Sequence, residues 1–129
     1  MWRVTGLGGL FFKARNPQAL YEWYEKHLGI EREPHSEAAA FRWRDWDNPE
    51  QKGMTIFSIF PESTRYFGNS KSPFMVNFRV ENLDALLQAL REEGIEIDPK
   101  VEDYEYGRFA WITDPEGNRI ELWEPKGEV

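Results

Sequence analysis

The apolar positions follow two different spacings, which predict a strand and then a helix near the start of the chain. Residues 5–14, TGLGGLFFKA, form a short apolar run typical of a strand. The run ends before Asn16 and Pro17, residue types favoured at the cap and in the first turn of a helix. Apolar residues then recur near a 3.6-residue period until Gly29, at Leu20, Trp23, Tyr24 and Leu28. We therefore expect an amphipathic helix here.

The second half of the chain repeats this order. The run FMVNFRV at 74–80 predicts a strand, and the next segment has one apolar stripe typical of a helix that ends at Gly94. The stripe consists of Leu83, Leu86, Leu87 and Leu90. Strand patterns follow both helices, at 38–46 and 54–60 in the first half and at 95–101, 107–113 and 119–125 in the second.

The two halves align as an internal repeat. At an offset of 66 residues, Phe12 falls on Phe78 and Asn16 falls on Asn82. Nearer the ends of the halves, an offset of 64 aligns 53–56 with 117–120, each behind a DNP or DP turn. The repeat predicts two βαβββ modules, at about 5–60 and about 74–125, joined by a linker at 61–73 within a single domain of residues 1–129.

The order of elements predicts an α+β fold with a concave inner face. One helix covers one face of a four-stranded sheet, so each module would leave its other face bare. Two modules side by side can share a curved mixed sheet with both helices outside and a trough inside. A small-molecule ligand is expected in that trough.

Composition and charge narrow the choice of partner. The chain has 23 Asp and Glu against 16 Lys and Arg, a formal net charge of -7, which disfavours nucleic acid and anionic lipid surfaces. No apolar run is long enough for a membrane span, so a cytoplasmic protein is expected. The chain has no Cys, which excludes thiolate chemistry, and it has 2 His.

Three segments resemble the vicinal oxygen chelate superfamily, which comprises glyoxalase I, extradiol dioxygenases and bleomycin-resistance proteins. They are GLFFKARNPQALYEWYEKHLG at 9–29, FMVNFRVENLDALLQALREEG at 74–94 and DPEGNRIELWEP at 114–125. The resemblance covers about residues 5–125, and DPEGNRIEL is its most specific part. It implies the curved sheet described above and assembly as a homodimer.

The resemblance also implies four positions for the ligands of a divalent metal ion. Here they are occupied by Gly9, Phe57, Met75 and Glu121, where Phe57 is the repeat partner of Glu121 at the offset of 64. Glu121 is the one hard ligand among the four, so the expectation is a degenerate site with no metal ligands and no cofactor. If a metal is bound, it would be a divalent ion held weakly at Glu121.

Strand alternation predicts which side chains face the trough, because neighbouring residues of a strand point to opposite faces. On the last strand Glu121 and Trp123 are expected to face inward. The predicted ligand-binding residues are Phe11, Phe57, Met75, Asn77, Arg79, Trp111 and Trp123, and Glu121 is the predicted catalytic residue. Phe109 is a further candidate for an aromatic wall. Glu121 is expected to have a raised pKa among these rings, or else to be the wet face of a half-covered strand.

The remaining polar candidates are Arg79, the two histidines and the segment 104–109. Arg79 is expected either to pair with Glu121 or to bind an anionic ligand group. His27 and His35 are interpreted as a solvated helix residue and a surface loop residue. A segment at 104–109, YEYGRF, is a candidate for the rim of the trough, with Tyr104, Tyr106 and Arg108 able to close over a ligand, although a plain surface loop explains it equally well.

Three functions remain open on the sequence. The first is a metal-free domain that binds a small aromatic or amphipathic molecule, as the bleomycin-resistance branch of the resembled superfamily does. The second is a lyase, isomerase or dioxygenase-type enzyme in which Glu121 is a metal ligand or an acid/base. The third is an interaction domain without a small ligand. The sequence leaves the identity of the ligand open.

Overall fold

The computed structural model describes residues 3–127, which form seven strands and two helices. In chain order the elements are β1 (Val4–Ala14), α1 (Pro17–Leu28), β2 (Ala39–Arg44), β3 (Lys52–Pro61), β4 (Phe74–Val80), α2 (Leu83–Glu92), β5 (Glu102–Tyr104), β6 (Gly107–Thr113) and β7 (Arg119–Pro125). Neither helix of the described part has the length and apolar character needed to cross a membrane.

All seven strands belong to one mixed sheet of order β2-β3-β1-β4-β7-β6-β5. The central pair, β1 and β4, is antiparallel and joins the two halves of the chain. Each half repeats one parallel pairing, β1 with β3 and β4 with β7. The predicted α+β architecture, a curved sheet with helices outside, is confirmed.

Both helices begin where the sequence predicted, because an asparagine side chain caps each one. The Oδ1 of Asn16 accepts a hydrogen bond from the backbone N–H of Ala19 at 3.1 Å, and Asn82 accepts from Ala85 at 3.0 Å. These bonds satisfy one of the amide groups that the first helical turn leaves without a partner. Gly29 ends α1 with a left-handed φ of 68°.

Two strand predictions need correction. Residues 30–38 form turns and irregular structure, so two strands follow α1 instead of the three that the module scheme requires. The predicted strand at 95–101 makes only an isolated bridge, between Ile97 and Ile112. Pro99 cannot donate to a ladder, and the carboxylate of Asp98 accepts from the N–H of Lys100 at 2.9 Å, which favours a turn. The strand begins later, at Glu102.

Buried residues form three clusters, one beneath each helix and one on the inner face. Leucines of α2 pack on Val80 and Leu122, and Tyr21 of α1 packs on Phe12, Phe57 and Ile59. The inner-face cluster is mostly aromatic and contains Phe11, Phe67, Met75, Phe109, Trp111 and Trp123. The inner face therefore has the apolar surface that a ligand trough requires.

The predicted inward position of Phe57 is wrong, because its side chain packs beneath α1. In the parallel pairs Phe11 lies beside Ser58, while Asn77, the repeat partner of Phe11, lies beside Glu121. The residue equivalent to Glu121 is therefore Ser58. A slip of one residue in the alignment inverts the face that a strand residue occupies.

Candidate functional site

A cavity of about 440 Å³ opens on the inner face of the sheet. Its walls are mostly apolar, and its polar groups belong to a few residues from separate elements. The lining residues are Gly8, Phe11, Met54, Ile56, Ser58, Phe60, Tyr66, Asn77, Glu102, Tyr104, Tyr106, Phe109, Glu121 and Trp123. A concave apolar site with a few convergent polar groups is typical of small-molecule binding.

Glu121 lies at the base of this cavity and accepts hydrogen bonds from three separate elements. Its Oε1 accepts from the hydroxyl of Tyr66 and, at 3.1 Å, from the indole Nε1–H of Trp111. Its Oε2 accepts from the Nδ2 of Asn77 at 2.5 Å. The side chain is 1% exposed, so protein donors replace water around both oxygens.

The sheet register explains two of these three donors. In the parallel β4–β7 pair Asn77 lies beside Glu121, and in the antiparallel β6–β7 pair Trp111 lies opposite it. The third donor, Tyr66, comes from the segment between β3 and β4. Its ring stacks on Phe60 at a centroid distance of 5.4 Å and an interplanar angle of 9°. This stacking holds the hydroxyl over the carboxylate.

Burial dominates the electrostatics of Glu121 and Tyr66. Loss of hydration raises the pKa of Glu121 above its ordinary value, while the hydrogen bonds from Tyr66, Asn77 and Trp111 act in the opposite direction. Burial, together with the negative charge of Glu121, raises the pKa of the Tyr66 phenol. Tyr66 therefore keeps its proton and remains a donor to Glu121.

Stacked aromatic rings form one wall of the cavity. Tyr104 stacks on Tyr106 with centroids 5.3 Å apart, and Phe109 stacks on Trp123 with centroids 5.8 Å apart. Tyr106 also meets Phe109 edge to face at 5.7 Å. The hydroxyl of Tyr104 donates to Glu102 at 2.7 Å, which fixes the outer ring of this wall. Flat walls of this kind match a flat ligand.

Two adjacent glycines of β1 allow the side chains of Asn77 and Phe11 to pack directly against the backbone. The β1–β4 register shifts between Leu7 and Gly9, a β-bulge that leaves both Gly8 and Gly9 buried against inner-face side chains. A Cβ on Gly8 would lie 2.1 Å from the Oδ1 of Asn77. A Cβ on Gly9 would lie 2.6 Å from the ring of Phe11. Neither position tolerates a side chain in this arrangement.

Arg79 and Trp43 occupy the end of the inner face away from the cavity. The Arg79 guanidinium lies 5.4 Å from the ring centroid of Trp43 and 4.9 Å from that of Trp123. Burial lowers the pKa of Arg79. Arg79 lines a separate depression with residues such as Thr5 and Asp45, and it does not line the cavity.

The residues at the four expected metal positions do not fit a divalent ion. The oxygens of Glu121 already face N–H and O–H donors, whose hydrogens a cation would have to displace. A ligand side chain at Gly9 would collide with Phe11, Met75 is a soft thioether, and the fourth position is Ser58. Within residues 3–127 no three His, Asp or Glu side chains are grouped to hold a metal.

The structure brings some of the predicted site residues together and separates others. Phe11, Asn77, Glu121 and Trp123 line the cavity, as do Phe109 and the predicted rim residues Tyr104 and Tyr106. Met75 and Trp111 are 1% and 2% exposed and lie behind the lining. Phe57 and Arg79 lie elsewhere, as described above. Arg108 pairs with Asp84 of α2 at 3.0 Å instead of closing over the cavity.

The simpler predictions for the histidines are confirmed, since His27 and His35 are both exposed. His27 packs against the ring of Trp23 on the outside of α1 at 5.1 Å, and His35 lies in a loop with a φ of 61°. Neither side chain lines the cavity.

Sequence reasoning missed Tyr66, Ser58, Phe60 and Glu102 as cavity residues. Ser58 and Phe60 alternate with the buried Phe57 and Ile59 along β3, so a correct register would have revealed them. Tyr66 lies in the segment that was predicted to be a linker. Its neighbour Phe67 is fully buried, and a pair of aromatic residues in a polar loop was the available signal.

Comparisons with known proteins support the fold and the family. The family model described as Glyoxalase/Bleomycin resistance protein/Dioxygenase superfamily matches residues 10–122. Among solved structures, methylmalonyl-CoA epimerase in complex with methylmalonyl-CoA and NH4+ has 16% identity and a TM-score of 0.70, with 97% of each chain covered. The Mycobacterium tuberculosis methylmalonyl-CoA epimerase has 20% identity and a TM-score of 0.59, with 98% of this chain and 92% of that chain covered.

A third similar structure, described as NAD-dependent benzaldehyde dehydrogenase from Legionella pneumophila, has 16% identity and a TM-score of 0.60. The match covers 92% of this chain and 98% of that chain. No curated protein sequence matches this chain. At these identities the structural likenesses show the fold alone.

Proposed function

The chain belongs to the Glyoxalase/Bleomycin resistance protein/Dioxygenase superfamily, and we propose that it is a metal-independent member that binds a small aromatic or amphipathic molecule in the cavity. One observation carries the proposal. The carboxylate at the expected metal position, Glu121, is held by Tyr66, Asn77 and Trp111 at the base of an aromatic cavity. Protein donors thus take the positions around this carboxylate that a cation would need.

The cavity supports this proposal by its size and its walls. A volume of about 440 Å³ lies in the range typical of small-ligand sites. The stacked pairs Tyr104–Tyr106 and Phe109–Trp123 offer ring faces, and Phe60 and Tyr66 form a third stacked pair in the cavity lining. Burial of a flat apolar ligand between such faces supplies the main binding free energy.

A ligand panel with a blocking variant tests the proposal. Ser58 lines the cavity from β3, so Ser58→Phe would fill part of it. Thermal unfolding is measured with a panel of neutral mono- and bicyclic aromatic compounds. We expect at least one compound to raise the melting temperature of the unaltered protein and to lose at least about tenfold in affinity with Ser58→Phe. Binding stabilises the folded state by mass action, which makes the shift depend on concentration.

Ser63→Phe is the matched control, because Ser63 is exposed and does not line the cavity. This variant should keep the affinity of the unaltered protein. Elemental analysis after incubation with nickel or zinc and desalting tests the metal-independent part. One tightly held ion per chain would overturn the proposal, as would a panel without any binder.

The second candidate function is a lyase, isomerase or dioxygenase-type enzyme in which Glu121 acts as an acid or base. It is favoured by the raised pKa of Glu121 and by the position of this carboxylate at the cavity base. The test uses carbonyl compounds from the panel in heavy water. Exchange of a carbon-bound proton that is fast with the unaltered protein and lost with Glu121→Gln would favour the enzyme over the binding domain.

Assembly as a homodimer and a cytoplasmic location stay predictions. The first follows from the family resemblance, and light scattering at micromolar concentration tests it. A monomeric mass would contradict it. Molecules that bleomycin-resistance proteins bind are further candidates for the ligand panel.

A further inference from the structure

The charged groups that line the cavity are all acidic. Of the described residues in the lining, Glu102 and Glu121 are carboxylates and none is Lys, Arg or His. Lys100 pairs with Glu102 at 2.6 Å, but its side chain is 66% exposed and lies outside the lining. The charges that face a ligand in the cavity are therefore negative.

The two arginines nearest to the cavity are engaged outside it. Arg119 pairs with Asp98 at 3.1 Å, and its guanidinium lies 5.2 Å from the ring centroid of Trp111. The guanidinium of Arg79 lies 4.9 Å from the ring centroid of Trp123. Neither arginine lines the cavity, so neither brings a positive charge to its inner surface.

Two tyrosine hydroxyls report the sign of the local field. Burial raises the pKa of Tyr66, and the negative charges of Glu121 and Glu102 add to this rise. The hydrogen bond to Glu102 raises the pKa of Tyr104, and the charges of the same two carboxylates act in the same direction. A positive charge near these hydroxyls is therefore favoured, and a further negative charge is opposed.

The groups that a ligand can reach directly lie at the rim of the cavity. Tyr104 and Tyr106 are 43% and 53% exposed, and both line the cavity together with Glu102. The hydroxyl of Tyr104 donates to Glu102 at 2.7 Å, which keeps this carboxylate beside the two stacked rings. Aromatic faces attract a cation that lies within about 6 Å, most strongly when the cation is desolvated.

Glu121 adds to this attraction without touching the ligand. Its side chain is 1% exposed, and its oxygens already accept from three protein donors. The attraction between opposite charges needs no contact and is strong where water is largely absent. A cation in the cavity can therefore interact with the ionised carboxylate while all three hydrogen bonds stay in place.

We propose that the ligand is an organic cation, an aromatic or amphipathic molecule whose positively charged nitrogen lies against the rings of Tyr104 and Tyr106 beside Glu102. This proposal rests on the proposed function and narrows it to a chemical class. A quaternary nitrogen suits the site, because it has no N–H group that would need a hydrogen-bond partner in an apolar cavity. Carboxylate and phosphate ligands are disfavoured by the same field.

Two compounds of the same shape test the proposal on the unaltered protein by calorimetry. In 3-hydroxyphenyltrimethylammonium a positively charged nitrogen replaces the central carbon of the butyl group of 3-tert-butylphenol. Shape and apolar area are matched, so the ratio of the two affinities isolates the charge. We expect the cation to bind at least about fivefold more tightly than the phenol.

Three variants assign the preference to the rim. Glu102→Gln removes the accessible carboxylate, so the affinity ratio should fall at least about threefold. Lys100→Met removes the cation that pairs with Glu102, so the ratio should rise at least about twofold. Glu105→Gln is the matched control for Glu102→Gln, because Glu105 is exposed and does not line the cavity. It makes the same change in net charge and should keep the ratio of the unaltered protein.

The outcomes separate this proposal from the binding function. If the phenol binds as tightly as the ammonium compound, or if a neutral aromatic compound binds and the ammonium compound does not, the ligand is not a cation while the binding function stands. If no compound of either charge binds, both are overturned. Equal falls in the ratio for Glu102→Gln and Glu105→Gln would show that net charge, and not the rim, sets the preference. If circular dichroism shows that Glu102→Gln is unfolded, the compound pair and Lys100→Met decide the question.

Discussion

Asn77 and Glu121 lie side by side in the parallel β4–β7 pair, and the Nδ2 of Asn77 donates to the Oε2 of Glu121 at 2.5 Å. Both side chains are 1% exposed. The other end of this amide, the Oδ1, packs against Gly8, where a Cβ would lie 2.1 Å from it. The order of the cavity base therefore depends on the pairing of Asn77 with Glu121.

Asn77→Ala should lower the free energy of unfolding by about 1–3 kcal/mol, the usual cost of leaving a buried polar group without a donor. Urea unfolding monitored by circular dichroism measures it. Asn69→Ala is a matched control, since Asn69 is exposed and its side chain makes no hydrogen bond within the described chain. An unchanged midpoint for Asn77→Ala would contradict the role given to this bond.

The stability of the protein should depend on pH through Glu121. Burial raises its folded pKa above the ordinary 4.5, so the folded state binds this proton more tightly than the unfolded chain does. The stabilising contribution is complete below pH 4.5 and is lost as the pH rises through the folded pKa. The stability of the unaltered protein relative to Glu121→Gln should therefore fall over that interval and then level off.

Urea unfolding between pH 4 and 8 measures this difference for the unaltered protein and for Glu121→Gln. Glu37→Gln is the control, because Glu37 is an exposed loop residue. The difference between the unaltered protein and the control should not change as the pH passes through the folded pKa of Glu121. A relative stability that increases with pH for Glu121 would show that hydrogen bonds from its three donors outweigh burial.

Tyr66→Phe isolates the hydroxyl that reaches Glu121. The ring of the new residue can still stack on Phe60, so the change removes one hydrogen bond and little else. We expect a loss of about 1.5–3 kcal/mol in the free energy of unfolding, typical of a hydrogen bond to a charged group. In a protein that already carries Glu121→Gln, the Tyr66→Phe substitution should lower the free energy of unfolding by less. Equal losses in both backgrounds would mean that the charge of Glu121 adds nothing to this hydrogen bond.

The local features of the fold were predictable because nearby residues determine them. The helix limits at Asn16 and Gly29 follow from side-chain capping and a left-handed glycine, and both effects act within a few residues. The facing of Asn77 and Glu121 followed from strand alternation, which also needs no distant partner. Strand alternation alone therefore predicts that these two residues lie on the inner face, where the structure has them.

The other features of the site depend on contacts between residues that are far apart in the sequence, and short sequence patterns do not reveal such contacts. The approximate repeat predicts an inward Phe57 because it does not determine the strand register, and a shift of one residue decides between Phe57 and Ser58. The bulge at Gly8 and the return of Tyr66 across the sheet are also consequences of packing between distant segments. One of the three hydrogen-bond donors to the carboxylate, Tyr66, is therefore missed by the sequence analysis.

Trp43 explains two glycines of the sheet, and this packing can be tested. A Cβ on Gly53 would lie 2.4 Å from the Trp43 ring, and one on Gly6 would lie 2.5 Å from it. Gly53→Ala should therefore displace the indole and cost about 1–3 kcal/mol. In the double variant with Trp43→Ala the clash disappears, so the effects should not add. Additive losses in urea unfolding would show that Trp43 is not the obstacle.

The two capping asparagines test whether equivalent positions of the internal repeat contribute equally to the free energy of unfolding. Asn16 and Asn82 occupy equivalent positions and make equivalent bonds, to the N–H of Ala19 at 3.1 Å and of Ala85 at 3.0 Å. Each change to alanine should cost about 1 kcal/mol, the usual value of such a cap. The two caps share no hydrogen-bond partner, so the double variant should lose the sum within about 0.5 kcal/mol. A loss confined to Asn82 would show that α1, which has fewer buried residues than α2, contributes little to cooperative folding.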